Sequence, residues 1–183
     1  TFRGADLDSI GSGRIVGGIV RALYKGGWGY ATFNDLTDLR GRVQEASEIA
    51  RLVGKGKTHF APIEPVVDVV KAEMQRDIRT VPLAEKKALA ESYNRIVLGH
   101  HPDIQTSNVR YGDWFKSIHF ASSEGSYIHE EIPNVYISVT ATARRDDIVQ
   151  NGFESTGGPE GFQTVEGFEE KSRQAAQRAV DLL

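Results

Sequence analysis

Residues 134–143 alternate apolar and polar side chains more regularly than any other part of the chain. An alternation with a period of two predicts a β-strand with one buried face. Such a strand needs neighbouring strands and a covering layer, because its apolar face must be removed from water. The residues predicted to face inward are Val135, Ile137, Val139, Ala141 and Ala143.

Other strands are predicted on both sides of this segment. Residues 15–24 and 28–33 are rich in β-branched and aromatic side chains, and Lys25-Gly26-Gly27 supplies a hairpin turn between them. Residues 66–74 could form a short strand. Residues 118–121 and 127–131 show extended patterns around a turn at 122–125, and Pro133 is expected to interrupt the second of them.

Three helices are predicted from apolar residues that recur at spacings of three and four. The first covers residues 37–53 and ends at Gly54. The second covers residues 82–98, with Pro82 at its first position. The third covers about residues 165–183.

The order of these elements predicts an α+β fold, a mostly antiparallel sheet with helices packed on it. We expect residues 1–183 to form a single domain. We also expect the hairpin 14–33 and the strand 134–143 to share one sheet, with helix 37–53 packed on that sheet.

Composition excludes several functions. The formal charge is −3, with 14 basic and 12 acidic groups in residues 1–92 and 8 and 13 in residues 93–183. Neither half has the basic excess that binding to a phosphate backbone requires, so nucleic acid is not expected as a partner. The chain has no cysteine, which removes disulfides and thiolate metal sites. No apolar run is long enough for a transmembrane helix, so no membrane partner is expected.

Both ends of the sequence suggest a piece of a longer protein. Thr1 is not an initiator methionine, and Leu183 lies within a helical pattern. We therefore expect further chain beyond Leu183.

Two glycine-rich segments are candidates for ligand-binding loops. Gly11, Gly13 and Gly17 have GxGxxxG spacing, and a strand rather than a helix is predicted to follow, so a dinucleotide site is disfavoured. Residues 152–161 lack the P-loop pattern and are predicted to be a flexible loop, which could contact a ligand or a partner domain.

The titratable residues do not form a recognisable active site. The histidines lack the i, i+4 spacing of a helical zinc site, and adjacent acids in a strand point to opposite faces. We therefore assign no catalytic, metal-binding or cofactor-binding residue in this chain. The residues weighed were His59, His100, His101, His119 and His129, and the pairs Glu130-Glu131, Asp146-Asp147 and Glu169-Glu170.

Four segments, taken in order, resemble the N-terminal domain of the TldD/PmbA family. The segment GRIVGGIVRALYKGGWGYATFNDL (13–36), followed by EIARLVG, is similar to the opening hairpin and helix of that family. Residues 81–98 are similar to its next helix, and FASSEG (120–125) to its turn with serine and glycine. Residues 139–161 resemble a strand and glycine-rich loop of the TldD branch.

The resemblance implies a cytoplasmic, two-domain metallopeptidase of a family whose members are also called modulators of DNA gyrase and process peptides. In the TldD branch, a HExxxH motif in the C-terminal domain holds zinc. That motif is absent from this sequence, so the chain would be the non-catalytic N-terminal domain and inactive alone. Zinc is expected in the missing domain, with no cofactor in this fragment.

The implied partners are the C-terminal domain of the same chain, a second family member in a homodimer or heterodimer, and a peptide substrate. The alternative is a metal-free interaction module, similar to a PmbA-like partner subunit, with no peptidase activity.

Overall fold

The structure is a computed structural model, and it describes residues 1–58 and 61–183. From the hairpin onward its helices and strands follow the predicted order, and two short strands that were not predicted precede the hairpin. In chain order they are β1 (Phe2–Arg3), β2 (Asp6–Leu7), β3 (Gly18–Tyr24), β4 (Gly27–Phe33), α1 (Leu39–Val53), β5 (Val67–Val70), α2 (Leu83–Leu98), β6 (Ile104–Ala121), β7 (Tyr127–Arg145), β8 (Ile148–Gly158), a 3-10 turn (Phe162–Val165) and α3 (Glu169–Asp181).

The chain divides into two compact units. One unit contains residues 11–64, and the other contains residues 1–10 with residues 65–183. The division follows from burial, because the hairpin and α1 cover each other's apolar faces and so complete a small two-layer structure.

In the smaller unit, β3 and β4 form their own two-stranded antiparallel sheet. The hairpin and the helix at 37–53 are confirmed, but the expectation that this hairpin shares a sheet with residues 134–143 is wrong. The face of β4 formed by Gly27, Gly29 and Ala31 is buried, and α1 buries Ala46 and Ala50. A Cβ at Gly29 would lie 1.9 Å from the carbonyl oxygen of Ala46, so only glycine allows this close packing.

The larger unit is built on a six-stranded sheet. Strands β2, β1, β6 and β7 are neighbours in that order, and the far edge of β7 is shared by β5 and β8. All pairs are antiparallel except β5 with β7, which is parallel. The α+β class and the mostly antiparallel sheet are therefore confirmed.

Helices α2 and α3 contribute to the core on one face of this sheet. Val135, Ile137 and Val139 are fully buried there, as the alternation predicted. Tyr93 of α2 lies in the same core, where its hydroxyl donates to the carbonyl of Val165 at 2.8 Å and accepts from the Phe168 N–H at 3.2 Å.

Pro133 does not interrupt β7. It pairs with Phe115 of β6 and falls between the part of β7 that pairs with β5 and the part that pairs with β8. At that point β7 has a partner strand on one side, so the missing N–H costs a ladder hydrogen bond on one side at most.

The predicted loop at 152–161 is largely strand, because β8 continues to Gly158. The glycines serve packing. A Cβ at Gly152 would lie 1.9 Å from the carbonyl oxygen of Ala175, so α3 sits directly against the β8 backbone. The predicted helix at 165–183 is present in part, as the 3-10 turn and α3.

Candidate functional site

Burial falls along the β6–β7 hairpin from its base toward its tip. The inward residues at the base are fully buried, whereas Ile118, Phe120 and Tyr127 near the tip are 44%, 50% and 46% exposed. We refer to residues 116–131 as the arm. Side chains on the arm are held in register by β-sheet pairing while they remain accessible to a ligand.

One face of the arm carries a histidine cluster, which we define as Ser117, His119, Tyr127 and His129. His119 and His129 are direct partners across the two strands. Their rings are stacked with centroids 4.2 Å apart and planes inclined by 7°. Cross-strand partners in an antiparallel sheet project from the same face, which is why two residues ten positions apart meet here.

The two rings point their Nε2 atoms at one oxygen. Oγ of Ser117 lies 2.9 Å from Nε2 of His129 and 3.3 Å from Nε2 of His119, and the Tyr127 hydroxyl lies 3.2 Å from Nδ1 of His119. A hydroxyl can donate to one neutral imidazole while accepting from another, so all of these contacts can be satisfied with both rings neutral. Neutral imidazole nitrogens are proton acceptors and metal ligands.

A small cleft with many carboxylates lies beside the arm. Its lining includes Glu73, Glu130, Glu131 and Glu160. One of these groups is fixed, because the Glu131 carboxylate accepts the Ala72 N–H at 3.1 Å. The sequence analysis separated Glu130 and Glu131 onto opposite faces of a strand, yet both border this cleft. Its negative potential suits a cationic group. The other lining residues are Ala72, Ile132, Pro133 and Pro159.

A half-buried charged network joins α2 to β6. The Lys86 ammonium contacts the Asp113 carboxylate and donates to the Ile78 carbonyl at 2.8 Å. The Tyr111 hydroxyl donates to the same carboxylate at 2.6 Å, and burial together with that carboxylate raises the pKa of Tyr111 far above its usual value. Each polar group in this set has a partner, so we assign the network a structural role.

Arg76 forms a second, more exposed network. Its guanidinium pairs with Glu85 at the start of α2 and with Glu166 beside the 3-10 turn. The hydrogen bond to Glu85, more than any other interaction, raises the pKa of Arg76. The network links chain segments and has no features of a reactive site.

The glycine segment at the start of the chain is not a nucleotide-binding turn. Residues 11–17 have no regular secondary structure, and the strand β3 follows them, not a helix. A dinucleotide site needs a helix N-terminus at this position, and residues 11–17 lead into a strand instead.

The other weighed residues have local roles or are exposed. His100 lies beyond the end of α2 with Nε2 2.9 Å from Oε1 of Gln177, and Nδ1 of His101 accepts the Asp103 N–H at 3.1 Å. The pairs Asp146-Asp147 and Glu169-Glu170 are exposed. His59 lies outside the described residues.

The pairing of His119 with His129 was missed by the sequence analysis. The two histidines lie five residues on either side of Glu124. A hairpin whose centre is Glu124 makes them cross-strand partners. The predicted turn at 122–125 has its centre between residues 123 and 124, half a residue earlier, and so does not pair them. Equal spacing from a turn was the signal that could have revealed the pair.

Among residues 1–58 and 61–183, no group of three or more histidine, aspartate or glutamate side chains could hold a metal ion. Within the same residues, no helix has the length and apolarity that a membrane crossing needs.

Two models of one protein family match this chain. The family model described as "PmbA/TldA metallopeptidase central domain" matches residues 76–183, and the one described as "PmbA/TldA metallopeptidase domain 1" matches residues 1–50. The chain therefore belongs to the PmbA/TldA metallopeptidase family, as the resemblance predicted.

Similar curated proteins carry the name metalloprotease. The chain is 36% identical over 184 residues to metalloprotease slr0863 of Synechocystis. That match covers 100% of this chain and 40% of the relative. It is 31% identical over 186 residues to a metalloprotease of Methanothermobacter thermautotrophicus. That match covers 97% of this chain and 39% of the relative. The chain thus spans about 40% of the length of these relatives.

Solved structures share the fold. A Thermotoga maritima protein, described as a candidate modulator of a DNA gyrase, matches with a TM-score of 0.82 and 16% identity over 100% of this chain and 41% of its own. TldE from Thermococcus kodakarensis matches with a TM-score of 0.68 and 14% identity, over 87% of this chain and 37% of TldE. At these identities the likeness concerns the fold alone.

Proposed function

We propose that this chain is the non-catalytic N-terminal part of a TldD-like zinc metallopeptidase that processes peptides in the cytoplasm. The observation that carries the proposal is the pair of family matches. They correspond to a first and a central domain, while the relatives named metalloproteases are much longer than this chain. The proposal assigns hydrolysis to the remaining part of the whole protein.

The sequence of this chain supports the assignment of hydrolysis to the remaining part of the protein. A HExxxH motif places two histidine ligands and a glutamate that activates water around a zinc ion. The one His-Glu pair in this chain is His129-Glu130, and Asn134 stands where the motif would require its second histidine. These residues also lie on a β-strand, so the motif's donor set does not fit here and we derive no catalytic step from them.

Within the whole protein, this chain would form part of the wall of a substrate channel. The carboxylates of the cleft beside the arm would attract a basic group of a peptide and so increase its local concentration. The remaining partners in the proposal are the C-terminal domain and a second family member in a dimer.

The decisive comparison is between this chain and the longer protein encoded by its parent reading frame. We expect the longer protein to cleave unstructured peptides in a chelator-sensitive reaction that added zinc restores. The 183-residue chain should show no cleavage under the same conditions. Cleavage by the short chain, or a longer protein lacking HExxxH, would overturn the proposal.

A metal-free interaction module is the second candidate. The exposed arm and the adjoining carboxylate cleft favour it, because they offer a surface for a partner without any reaction centre. Zinc-dependent peptide cleavage by the longer protein would eliminate this candidate, whereas peptide binding without cleavage would support it.

A further inference from the structure

We propose that His119 and His129 form a binding site for a divalent transition-metal ion, with Cu²⁺ bound most tightly. The site would lie on the surface of the arm and have two protein ligands, the Nε2 atoms of both rings. This inference does not depend on the proposed function.

The first argument is convergence. Two imidazoles from opposite strands direct their Nε2 atoms at one point, which the Ser117 hydroxyl now occupies at 2.9 Å and 3.3 Å. The hydroxyl donates to the lone pair of one Nε2 and accepts from the N–H of the other. An incoming ion displaces it when the second ring takes the tautomer that carries its proton on Nδ1. Rotation of the small Ser117 side chain about its Cα–Cβ bond would vacate the point without any change in the backbone.

The second argument is spacing. Zn–N bonds of 2.0–2.1 Å in a tetrahedral site separate two nitrogens by roughly 3.3 Å. The stacked rings have centroids 4.2 Å apart and are almost parallel. Because the ring planes are almost parallel, their in-plane lone pairs run side by side, so both side chains must rotate about χ1 and χ2 before the two Nε2 atoms face one ion. The β6–β7 pairing holds both Cα atoms in place during this rotation. The backbone register of the site is therefore pre-formed, and metal binding requires a change in the orientation of the rings.

The third argument concerns access. His119 is exposed and His129 is half-buried, so an ion can enter and keep water in its remaining positions. Glu131 lies two residues from His129 on the same face of β7, directly opposite Ser117. The Glu131 carboxylate itself accepts the Ala72 N–H at 3.1 Å, so the proposed site has the two imidazoles as its protein ligands.

The choice of ion follows from the ligands. Imidazole suits copper, zinc and nickel, and affinity in a given nitrogen site rises toward Cu²⁺ along the first-row series. A site with two protein ligands remains open and releases its ion to chelators more readily than a site with three or four. We therefore expect the site to be emptied during purification with a chelator and to refill when metal is added.

The test is a titration of the chelator-treated 183-residue chain with Cu²⁺ alone, followed by calorimetry and by electron paramagnetic resonance. We expect one ion per chain, with a spectrum that shows two coordinated imidazole nitrogens. His119→Gln and His129→Gln should each lower the affinity about 10-fold or more and leave one coordinated imidazole. Both positions are at least partly accessible, so circular dichroism should show an unchanged fold.

Matched variants separate this site from other histidines. His100→Gln and His101→Gln, at the exit of α2, should leave stoichiometry and affinity unchanged. Ser117→Ala should retain binding, because the hydroxyl competes with the ion and is not a required ligand. The proposal is overturned if binding persists unchanged in His119→Gln and His129→Gln, or if His100→Gln and His101→Gln abolish it. Neither result bears on peptide cleavage by the longer protein.

Discussion

Gly152 of β8 lies directly beneath Ala175 of α3, so close that a Cβ at Gly152 would be 1.9 Å from the Ala175 carbonyl oxygen. The obstacle is helix backbone, which cannot move aside as the end of a flexible side chain can. The last helix can therefore bury Ala175, Ala176 and Ala179 against the sheet only because β8 has no side chain at this position.

Gly152→Ala should destabilise the larger unit. The added methyl group must push α3 away from β8, and overpacking of this kind lowers the free energy of unfolding by about 1–3 kcal/mol. Urea denaturation followed by circular dichroism measures the change. Gly13→Ala is the matched control, because nothing lies within 4 Å of a Cβ there, and its change should stay within about 0.5 kcal/mol. Equal stabilities of the two variants would contradict the packing argument.

This glycine also shows why the sequence analysis misassigned residues 152–161. Four glycines within ten residues are typical of a loop. Nothing local indicates that a helix from later in the chain packs closely against one of them. By contrast, the strand at 134–143 and the helices at 37–53 and 82–98 were predicted correctly. Their signal is the periodicity of their own side chains, which local sequence contains in full.

The arrangement of sheets was less predictable for a related reason. The hairpin of β3 and β4 has an ordinary strand pattern, and the pattern alone does not say whether its apolar face meets a helix or a larger sheet. Gly29 opposite Ala46 decides the matter, since it allows α1 to cover the hairpin. The histidine pair was missed because its members are brought together by strand register, and an error of half a residue in the turn centre hides it.

Gly29→Ala should destabilise the smaller unit selectively. A Cβ at this position would lie 1.9 Å from the Ala46 carbonyl oxygen, so α1 would have to move off β4. Hydrogen exchange followed by mass spectrometry should show faster exchange in residues 18–53 and unchanged exchange in residues 104–145. Gly152→Ala should give the reverse pattern. Faster exchange in both ranges for both variants would mean that the two units unfold as one.

Tyr93→Phe should destabilise the core without creating a large cavity. The hydroxyl donates to the Val165 carbonyl and accepts from the Phe168 N–H, so its removal leaves two buried backbone groups unpaired. The expected loss is about 1–3 kcal/mol in the free energy of unfolding. Tyr30→Phe, at a position that is 49% exposed, is the control and should change stability by less than about 0.5 kcal/mol. An unchanged midpoint for Tyr93→Phe would show that water replaces the hydroxyl.

Protonation of Asp77 at acidic pH should lower the free energy of unfolding of the chain. Hydrogen bonds from the Arg79 guanidinium, at 2.7–3.0 Å, hold the pKa of the Asp77 carboxyl below its usual value of 3.8. A carboxyl whose pKa is lower in the folded chain than in the unfolded chain stabilises the fold above the unfolded pKa. That contribution is lost as the pH falls through the folded value.

Thermal melting from pH 7 down to pH 2 tests this dependence. The wild-type melting temperature should fall more steeply below about pH 4 than that of Asp77→Asn, because the variant has no proton to take up at this position. Arg79→Gln is the matched variant: it keeps the carboxyl but removes the charge that lowers its pKa, so it should show the same shallower slope. Parallel curves for the wild type and both variants would assign the acid sensitivity to other carboxyl groups.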